Sequence, residues 1–300
     1  MHLAATYGYK LAWHAAIGEC QMRRAAACLP PLKPGAYGEL PIGICFLTGQ
    51  SLMHQTLFCA HSFARHYGSA ARFYFLSDGS LDSAATQLFA SKFFNARVIT
   101  HDELDERLAA ALPPIRYPTL HAHRRRFVLL RKLTDTLAGQ QGYRVFFDSD
   151  MIFWKRPEEL IARAERNEPF YMADLGEGGY TLPRAVLKQK LGVDPAPGVN
   201  SGLVAACAEK VDWDLIERAC VLLLDEGHDR RLLEQTLWAI VLGAQTAQPL
   251  PAADYRLVID PPAWRAAISA ARPVLLHYAW HARLPYVASE WRQYLNSIEG

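Results

Sequence analysis

Apolar residues along the chain gather into short continuous runs separated by longer segments of helical period. Ile42-Gly43-Ile44-Cys45-Phe46-Leu47 is one such run, and it ends in Thr48-Gly49-Gln50-Ser51. That is the pattern of a buried strand opening into a loop. Helical spacing follows over residues 53–67. Arg72-Phe73-Tyr74-Phe75-Leu76 then reads as a second strand, closed by Ser77-Asp78-Gly79. A helix over about residues 82–92 leads to the strand Ala96-Arg97-Val98-Ile99. A basic helix from Arg124 to Ala138 precedes the strand Arg144 to Phe147. Strands alternating with helices predict an α/β fold, a mainly parallel sheet flanked by helices on both faces. The second half is less regular. Phe170-Tyr171-Met172-Ala173 reads as a strand ending at Asp174, followed by a glycine-rich stretch at Gly176, Gly178 and Gly179. Val199-Asn200-Ser201-Gly202-Leu203-Val204 reads as a tight turn into a strand. Helices are expected over residues 215–224 and 232–242, and a last strand over Val274-Leu275-Leu276, ending at His277. Ahead of all this, residues 1–29 have helix-like spacing that Pro30, Pro31, Pro34 and Gly35 interrupt. Residues 1–40 are therefore expected to form a helical extension and linker, and residues 41–300 the main domain.

Composition changes this picture little. The 300 residues are 51% hydrophobic and 21% charged, ordinary for a globular protein, and the formal net charge of +2 gives no electrostatic reason to expect nucleic acid as a partner. Six cysteines without a C-x-x-C pair read as mostly buried free thiols in a reducing compartment. No apolar run is long enough to span a bilayer, and the N-terminus has no secretory pattern. The expectation is a soluble cytoplasmic protein. Arg124-Arg125-Arg126 reads as a solvated helix face that leaves a peripheral contact with an anionic membrane open, and His121 and His123 read as surface or interface residues.

The chemistry is concentrated in Asp148-Ser149-Asp150, directly after the apolar run Val145-Phe146-Phe147. Residues i and i+2 of a strand face the same side, about 6.6 Å apart, and a loop at the strand end can draw both carboxylates onto one ion. Ligands of open α/β sheets sit beyond the carboxyl ends of the strands. Hard divalent cations take oxygen ligands and share them with phosphates.

Four motifs then follow in order: Asp148-Ser149-Asp150, Asn200-Ser201-Gly202, Glu234-Gln235 and a segment from His277 to Tyr286. Together they resemble the metal-dependent glycosyltransferases of the GT-A fold, most closely the retaining family 8, over about residues 42–290, and the resemblance implies an α/β, Rossmann-like, mixed and mainly parallel sheet flanked by helices. The resemblance implies transfer of a sugar from a nucleoside-diphosphate sugar, a UDP-sugar among the candidates, to an acceptor hydroxyl with retention. The acceptor would be a carbohydrate, a lipid-linked sugar or a protein. Residues 41–150 would form the nucleotide-binding half and residues 151–290 the acceptor-binding half. Asp148, Asp150 and His277 would be ligands of Mn²⁺ or Mg²⁺, the imidazole favouring Mn²⁺. Asn200, Ser201, Gly202 and Asp174 would hold the donor sugar or acceptor, and Glu234 and Gln235 would lie at the anomeric centre. Arg131 or its neighbour Lys132, and Arg283, would contact sugar or phosphate. Thr48 and Gln50 stand where the family reads the base and ribose, in a loop here without an acidic residue. Asp78 could serve the base or cap a helix.

Two other readings fit parts of the pattern. A phosphohydrolase of the haloacid-dehalogenase type also carries an aspartate pair after an apolar strand, with the first aspartate as nucleophile. A non-catalytic nucleotide-sugar-binding protein would account for the altered first loop.

Overall fold

The computed structural model describes residues 9–32, 42–67, 71–176, 179–225, 232–269 and 272–299. Pro34, Gly35 and Gly178 of the expected linker and glycine-rich stretch lie outside the described residues.

The apolar runs form the strands β1 (Gly43–Thr48), β2 (Arg72–Ser77), β3 (Ala96–Ile99) and β4 (Tyr143–Phe147). β1 pairs in parallel with both β2 and β4, and β2 with β3. β5 is Met151–Phe153, β6 Phe170–Ala173, β7 Val199–Cys207 and β8 Gln248–Pro249. β7 runs antiparallel between β4 and β6, and β8 closes the far edge in parallel with β6. The result is a mixed, mainly parallel sheet in the order β3-β2-β1-β4-β7-β6-β8. A second sheet places β10 (Leu275–Tyr278) between β5 and β9 (Tyr255–Val258). Helices cover the large sheet on both faces, and a core lies on each side.

One core is built from phenylalanines. Phe63, on the helix Met53–Tyr67, sits 5.3 Å from Phe147 and 5.1 Å from Phe153, ring centre to ring centre, and Phe147 and Phe153 are themselves 5.3 Å apart. These two rings flank the aspartate turn. Each fully buried Phe contributes roughly 1.5–3 kcal/mol, so the turn is anchored from beneath at both ends. The N-terminal helix Tyr9–Cys28 adds Ala15, Met22 and Ala26 to the same core. Gly18 lets it lie directly on residues 287 and 288, since a β-carbon there would come within 2.1 Å of the Val287 carbonyl oxygen.

Four expectations need correction. The basic helix is two helices, Pro118–Arg126 and Arg131–Leu137, joined by a tight 3₁₀ turn at Val128–Leu130. Asn200-Ser201-Gly202 is not a turn but part of β7, at the place where its register with β6 shifts between Tyr171 and Met172. His121 and His123 are buried, the first against the Leu112 carbonyl and the second stacked on Phe127. Arg124 is not solvated either, because it pairs with Asp135 and Asp105, whereas Arg125 and Arg126 face water. The cysteines are unpaired; Cys45, Cys59, Cys207 and Cys220 are buried, and Cys20 and Cys28 are exposed. Among the described residues no helix is long and apolar enough to cross a membrane.

Candidate metal and diphosphate site

Four strands meet at the aspartate turn. Asp148-Ser149-Asp150 is the crossing from β4 in the large sheet to β5 in the small one. β7 lies beside β4 with Leu203 opposite Phe147, so the Asp148 N–H donates to the Gly202 carbonyl at 2.6 Å. β10 lies beside β5 with His277 opposite Met151, and the Tyr278 N–H donates to the Asp150 carbonyl at 2.8 Å. Main-chain pairing thus brings residue 277 to residues 148 and 150. Ser149, between the two aspartates, is held by a buried hydroxyl chain to Thr56 at 2.8 Å and on to Thr48 at 2.7 Å.

One carboxylate oxygen each from Asp148 and Asp150 and a ring nitrogen of His277 lie within 4.8 Å of one another. His277 Nε2 is 3.2 Å from Asp150 Oδ1 and 3.9 Å from Asp148 Oδ2. His277 Nδ1 is 3.0 Å from Asn200 Oδ1, which also accepts the Gly202 N–H at 3.1 Å. An amide oxygen only accepts, so the hydrogen-bond network assigns the ring proton to Nδ1. In the neutral ring, Nε2 is then a bare acceptor facing two more acceptors. Two carboxylates and an imidazole so placed could hold one divalent cation.

Gly202 makes this packing feasible. A β-carbon there would lie 2.4 Å from His277 Cε1 and 2.9 Å from its Nδ1.

Two cations flank the cluster. Lys132 Nζ is 2.6 Å from Asp148 Oδ1 and 2.9 Å from Oδ2, and Arg283 Nε is 2.6 Å from Asp150 Oδ2. Burial would raise the Asp150 carboxyl, but the Arg283 guanidinium outweighs it, joined by His277 whenever that ring carries both protons, and the group is held well below the usual carboxylate range. Burial likewise pulls the Lys132 ammonium down, while Asp148 and Glu234 overcome it and keep the group above the ordinary lysine value. Glu234 lies on the helix Leu233–Ala244 with Oε2 accepting the Ser201 hydroxyl at 2.9 Å. Burial is its largest influence, Lys132 opposes it and Asp148 adds to it, so the carboxyl is pushed up to about 7. The Trp238 indole is near enough to favour the ionised form but outside hydrogen-bond geometry, and Oε1 has no partner among the described residues.

A cavity of about 260 Å³ opens from the cluster toward β1 and β2, lined by Thr48, Gly49, Gln55, Asp78, Asp148 and Arg283 among others. Asp78 is not a helix cap, since Asp82 caps the following helix. Its carboxylate Oδ1 accepts the N–H and hydroxyl of Ser80, and it rests against Gly49, where a β-carbon would meet Oδ2 at 2.0 Å.

The remaining sequence candidates fall as follows. Gln235 Nε2 donates to Asp174 Oδ2 at 3.1 Å and to the Gly179 carbonyl at 3.0 Å, which joins these two candidates to each other. Arg131 is not brought to the cluster. Its guanidinium pairs with Asp135 at 2.8 Å and bonds the carbonyls of Ser77 and Asp78 at the end of β2, while Lys132 makes the contact to Asp148. Gln50 is exposed and anchored through its backbone, its N–H donating to Ser80 Oγ at 2.9 Å. Sequence reasoning passed over Gln55, the middle of three consecutive polar residues, His54-Gln55-Thr56, at the start of its helix, and the ridge Val128-Leu129, which borders the cavity.

No family model matches the chain, and no curated protein matches it. Solved structures do resemble it in backbone course. Mouse xyloside xylosyltransferase 1 is 14% identical, with a TM-score of 0.45 over 79% of this chain and 97% of that one. The glycosyltransferase GlyE of Streptococcus pneumoniae TIGR4 is 15% identical, with a TM-score of 0.45 over 87% of this chain and 63% of its own. The galactosyltransferase LgtC, solved with donor and acceptor sugar analogues, is 18% identical, with a TM-score of 0.45 over 84% and 99%. The chain thus spans nearly all of the first and third and less than two thirds of GlyE. The chemistry rests on the residues themselves.

Proposed function

We propose that the protein is a metal-dependent glycosyltransferase of the GT-A type that moves a sugar from a nucleoside diphosphate to an acceptor hydroxyl. One observation carries the reading: three lone-pair donors, Asp148, Asp150 and His277 Nε2, converge beside a cavity flanked by Lys132 and Arg283. Acidic ligands for a cation next to basic side chains suit a diphosphate, whose oxygens can share the cation and take up the two basic groups.

Bound there, a divalent cation would act as a Lewis acid that stabilises the negative charge left on the diphosphate. Lys132 and Arg283 add fixed positive charge where that negative charge grows. Removing one such group costs about 3–4 kcal/mol, or 10²–10³ in rate. The nucleoside would extend along Thr48, Gly49 and Gln55 to Asp78, so that Asp78 supplies the carboxylate the first loop lacks. Gln235 has both amide protons engaged, by Asp174 and by Gly179, and this fixes the amide so that its oxygen is the group offered to an electron-poor anomeric carbon. Attack by the acceptor hydroxyl on the same face forms the new carbon–oxygen bond. The old bond breaks with its electron pair on the diphosphate, and the hydroxyl proton passes to that departing oxygen. The configuration is then retained.

The test is release of nucleoside diphosphate from a panel of nucleotide sugars with Mn²⁺, Mg²⁺ or chelator. Metal-dependent release that Asp150→Asn abolishes supports the reading. Release of phosphate from an aryl phosphate, with every nucleotide sugar untouched, would replace it with the phosphohydrolase reading.

A further inference from the structure

The helix Tyr9–Cys28 packs one face into the core through Ala15, Met22 and Ala26, and Gly18 sets it directly on residues 287 and 288. Its outer face carries Arg23, 43% exposed, whose Nη2 is 2.8 Å from Glu19 Oε1 one turn back. A surface pair of this kind contributes little by itself. The same guanidinium, however, crosses to the loop after β1. Nη2 donates to the Ser51 carbonyl at 2.9 Å and Nη1 to the Gln50 carbonyl at 3.3 Å. One rigid fork thus holds two consecutive peptide planes. The loop's own bonds, from the Leu52 and Met53 N–H groups to the Gly49 carbonyl at 3.0 and 2.9 Å, close the turn but leave the carbonyls at its tip to Arg23. Gly49 and Ser51 of this loop line the cavity of about 260 Å³. The ties continue beyond it. The Gln50 N–H donates to Ser80 Oγ at 2.9 Å, the Ser80 hydroxyl donates to Asp78 Oδ1 at 2.6 Å, and the Asp78 N–H donates to the Thr48 carbonyl at 2.9 Å. A continuous run of hydrogen bonds therefore joins Arg23 to the carboxylate that borders the cavity.

We infer that Arg23 is a positioning residue for the nucleoside, and that the N-terminal helix is the strap that sets the loop after β1. Arg23 does not touch the nucleotide. It fixes the carbonyls of residues 50 and 51, and through Gln50 and Ser80 it holds Asp78 in the orientation that meets the nucleoside. The inference rests on the nucleotide site proposed above and gives the extension ahead of the sheet a part in it. A merely structural role predicts that losing Arg23 changes affinity for no ligand, or lowers it for every ligand alike. A positioning role predicts a loss confined to ligands that carry a nucleoside. The diphosphate is held at Asp148, Asp150, Lys132 and Arg283, and Arg23 bonds to none of these.

The experiment uses the full chain with Mn²⁺ and compares the uridine, cytidine, adenosine and guanosine diphosphates with inorganic pyrophosphate by calorimetry. Arg23→Met keeps the apolar stem and removes the fork. It weakens the tightest nucleoside diphosphate about three- to tenfold, the range of one hydrogen bond's net contribution, and leaves pyrophosphate unchanged. Arg23→Lys, which can reach one carbonyl but not both, falls between. In the Asp78→Ala background Arg23→Met adds little, because both changes act on the same contact. Amide hydrogen exchange in Arg23→Met rises over residues 49–51 and at residue 80, and stays at the wild-type rate over residues 147–151. An unchanged nucleoside diphosphate affinity, or an equal loss for pyrophosphate, overturns the inference and leaves the transfer reading standing. A wild-type protein that binds no nucleoside diphosphate better than pyrophosphate removes the nucleoside site, and the inference with it.

Discussion

Replacing Gly202 by alanine adds one methyl group at the point where β7 meets the imidazole of His277. The new carbon would lie 2.4 Å from Cε1, about 1 Å inside the ~3.5 Å at which carbon atoms normally touch. Neither backbone can retreat freely. Residue 202 is pinned by its N–H to Asn200 Oδ1 and its carbonyl to Asp148, and residue 277 by its place in β10. The ring must therefore turn, which breaks its 3.0 Å bond to Asn200 and swings Nε2 away from the carboxylates. Overpacking of this kind costs about 1–3 kcal/mol. Loss of ligand orientation lowers metal affinity about 10–100-fold. The assay is titration of Mn²⁺ by electron paramagnetic resonance in the presence of a nucleoside diphosphate, with circular dichroism and a melting curve to confirm folding. Gly43→Ala is the control, because its β-carbon would meet only the Tyr74 ring, at 3.3 Å, and the side chain of Arg144, at 4.0 Å. A folded Gly202→Ala protein that binds Mn²⁺ as the wild type does would refute the placement of His277 in the site.

The two aspartates are expected to differ in stability even if both are needed for the cation. Asp148→Asn leaves the Lys132 ammonium buried without its partner, a change that costs about 3–5 kcal/mol in urea unfolding, whereas Asp150→Asn gives up a carboxylate that Arg283 stabilises but leaves Arg283, 54% exposed, hydrated, and so costs less. Adding Lys132→Met to Asp148→Asn restores most of the loss, and equal stability of the two single variants would contradict the pairing. Glu234 has a folded-state pKa raised to about 7, so the native state binds the extra proton and stability falls as pH rises from the unfolded carboxylate value to about 7. His54 and His61, lowered to about 4 mainly by burial, act in the opposite direction over the lower part of that range, so the readout is the difference between wild type and Glu234→Gln. That difference grows in favour of the variant as pH rises through the window, to about 3 kcal/mol above it, and a pH-independent difference would show that the carboxyl is not shifted. Asp78→Ala weakens a nucleoside diphosphate about tenfold but leaves inorganic pyrophosphate with Mn²⁺ unchanged. An equal loss for both would move the nucleoside elsewhere.

The strands of the first half were legible because fully buried strands are written as unbroken apolar runs bounded by turn residues. The aspartate pair was legible for the same reason, since it closes such a run. The break between the helices at residues 118–126 and 131–137 was not, because Phe127-Val128-Leu129-Leu130 continues the helical spacing without a proline or glycine. Asn200-Ser201-Gly202 has turn composition, yet its small residues serve a strand that must leave room for an imidazole arriving from 77 residues away. Arg131 and Lys132 could not be separated from spacing alone. Adjacent helical residues point about 100° apart, and only the position of Asp135, one turn on, shows that the arginine faces the β2 end and the lysine faces Asp148.

The most direct test of the central claim is an anomalous-difference map, recorded at the manganese edge, from crystals grown with Mn²⁺ and a nucleoside diphosphate. A single peak within bonding distance of Asp148, Asp150 and His277 Nε2, with Lys132 and Arg283 turned onto the diphosphate, is the predicted result. Nucleotide bound elsewhere, or no peak there while Lys132 and Arg283 still hold the two carboxylates, would contradict it.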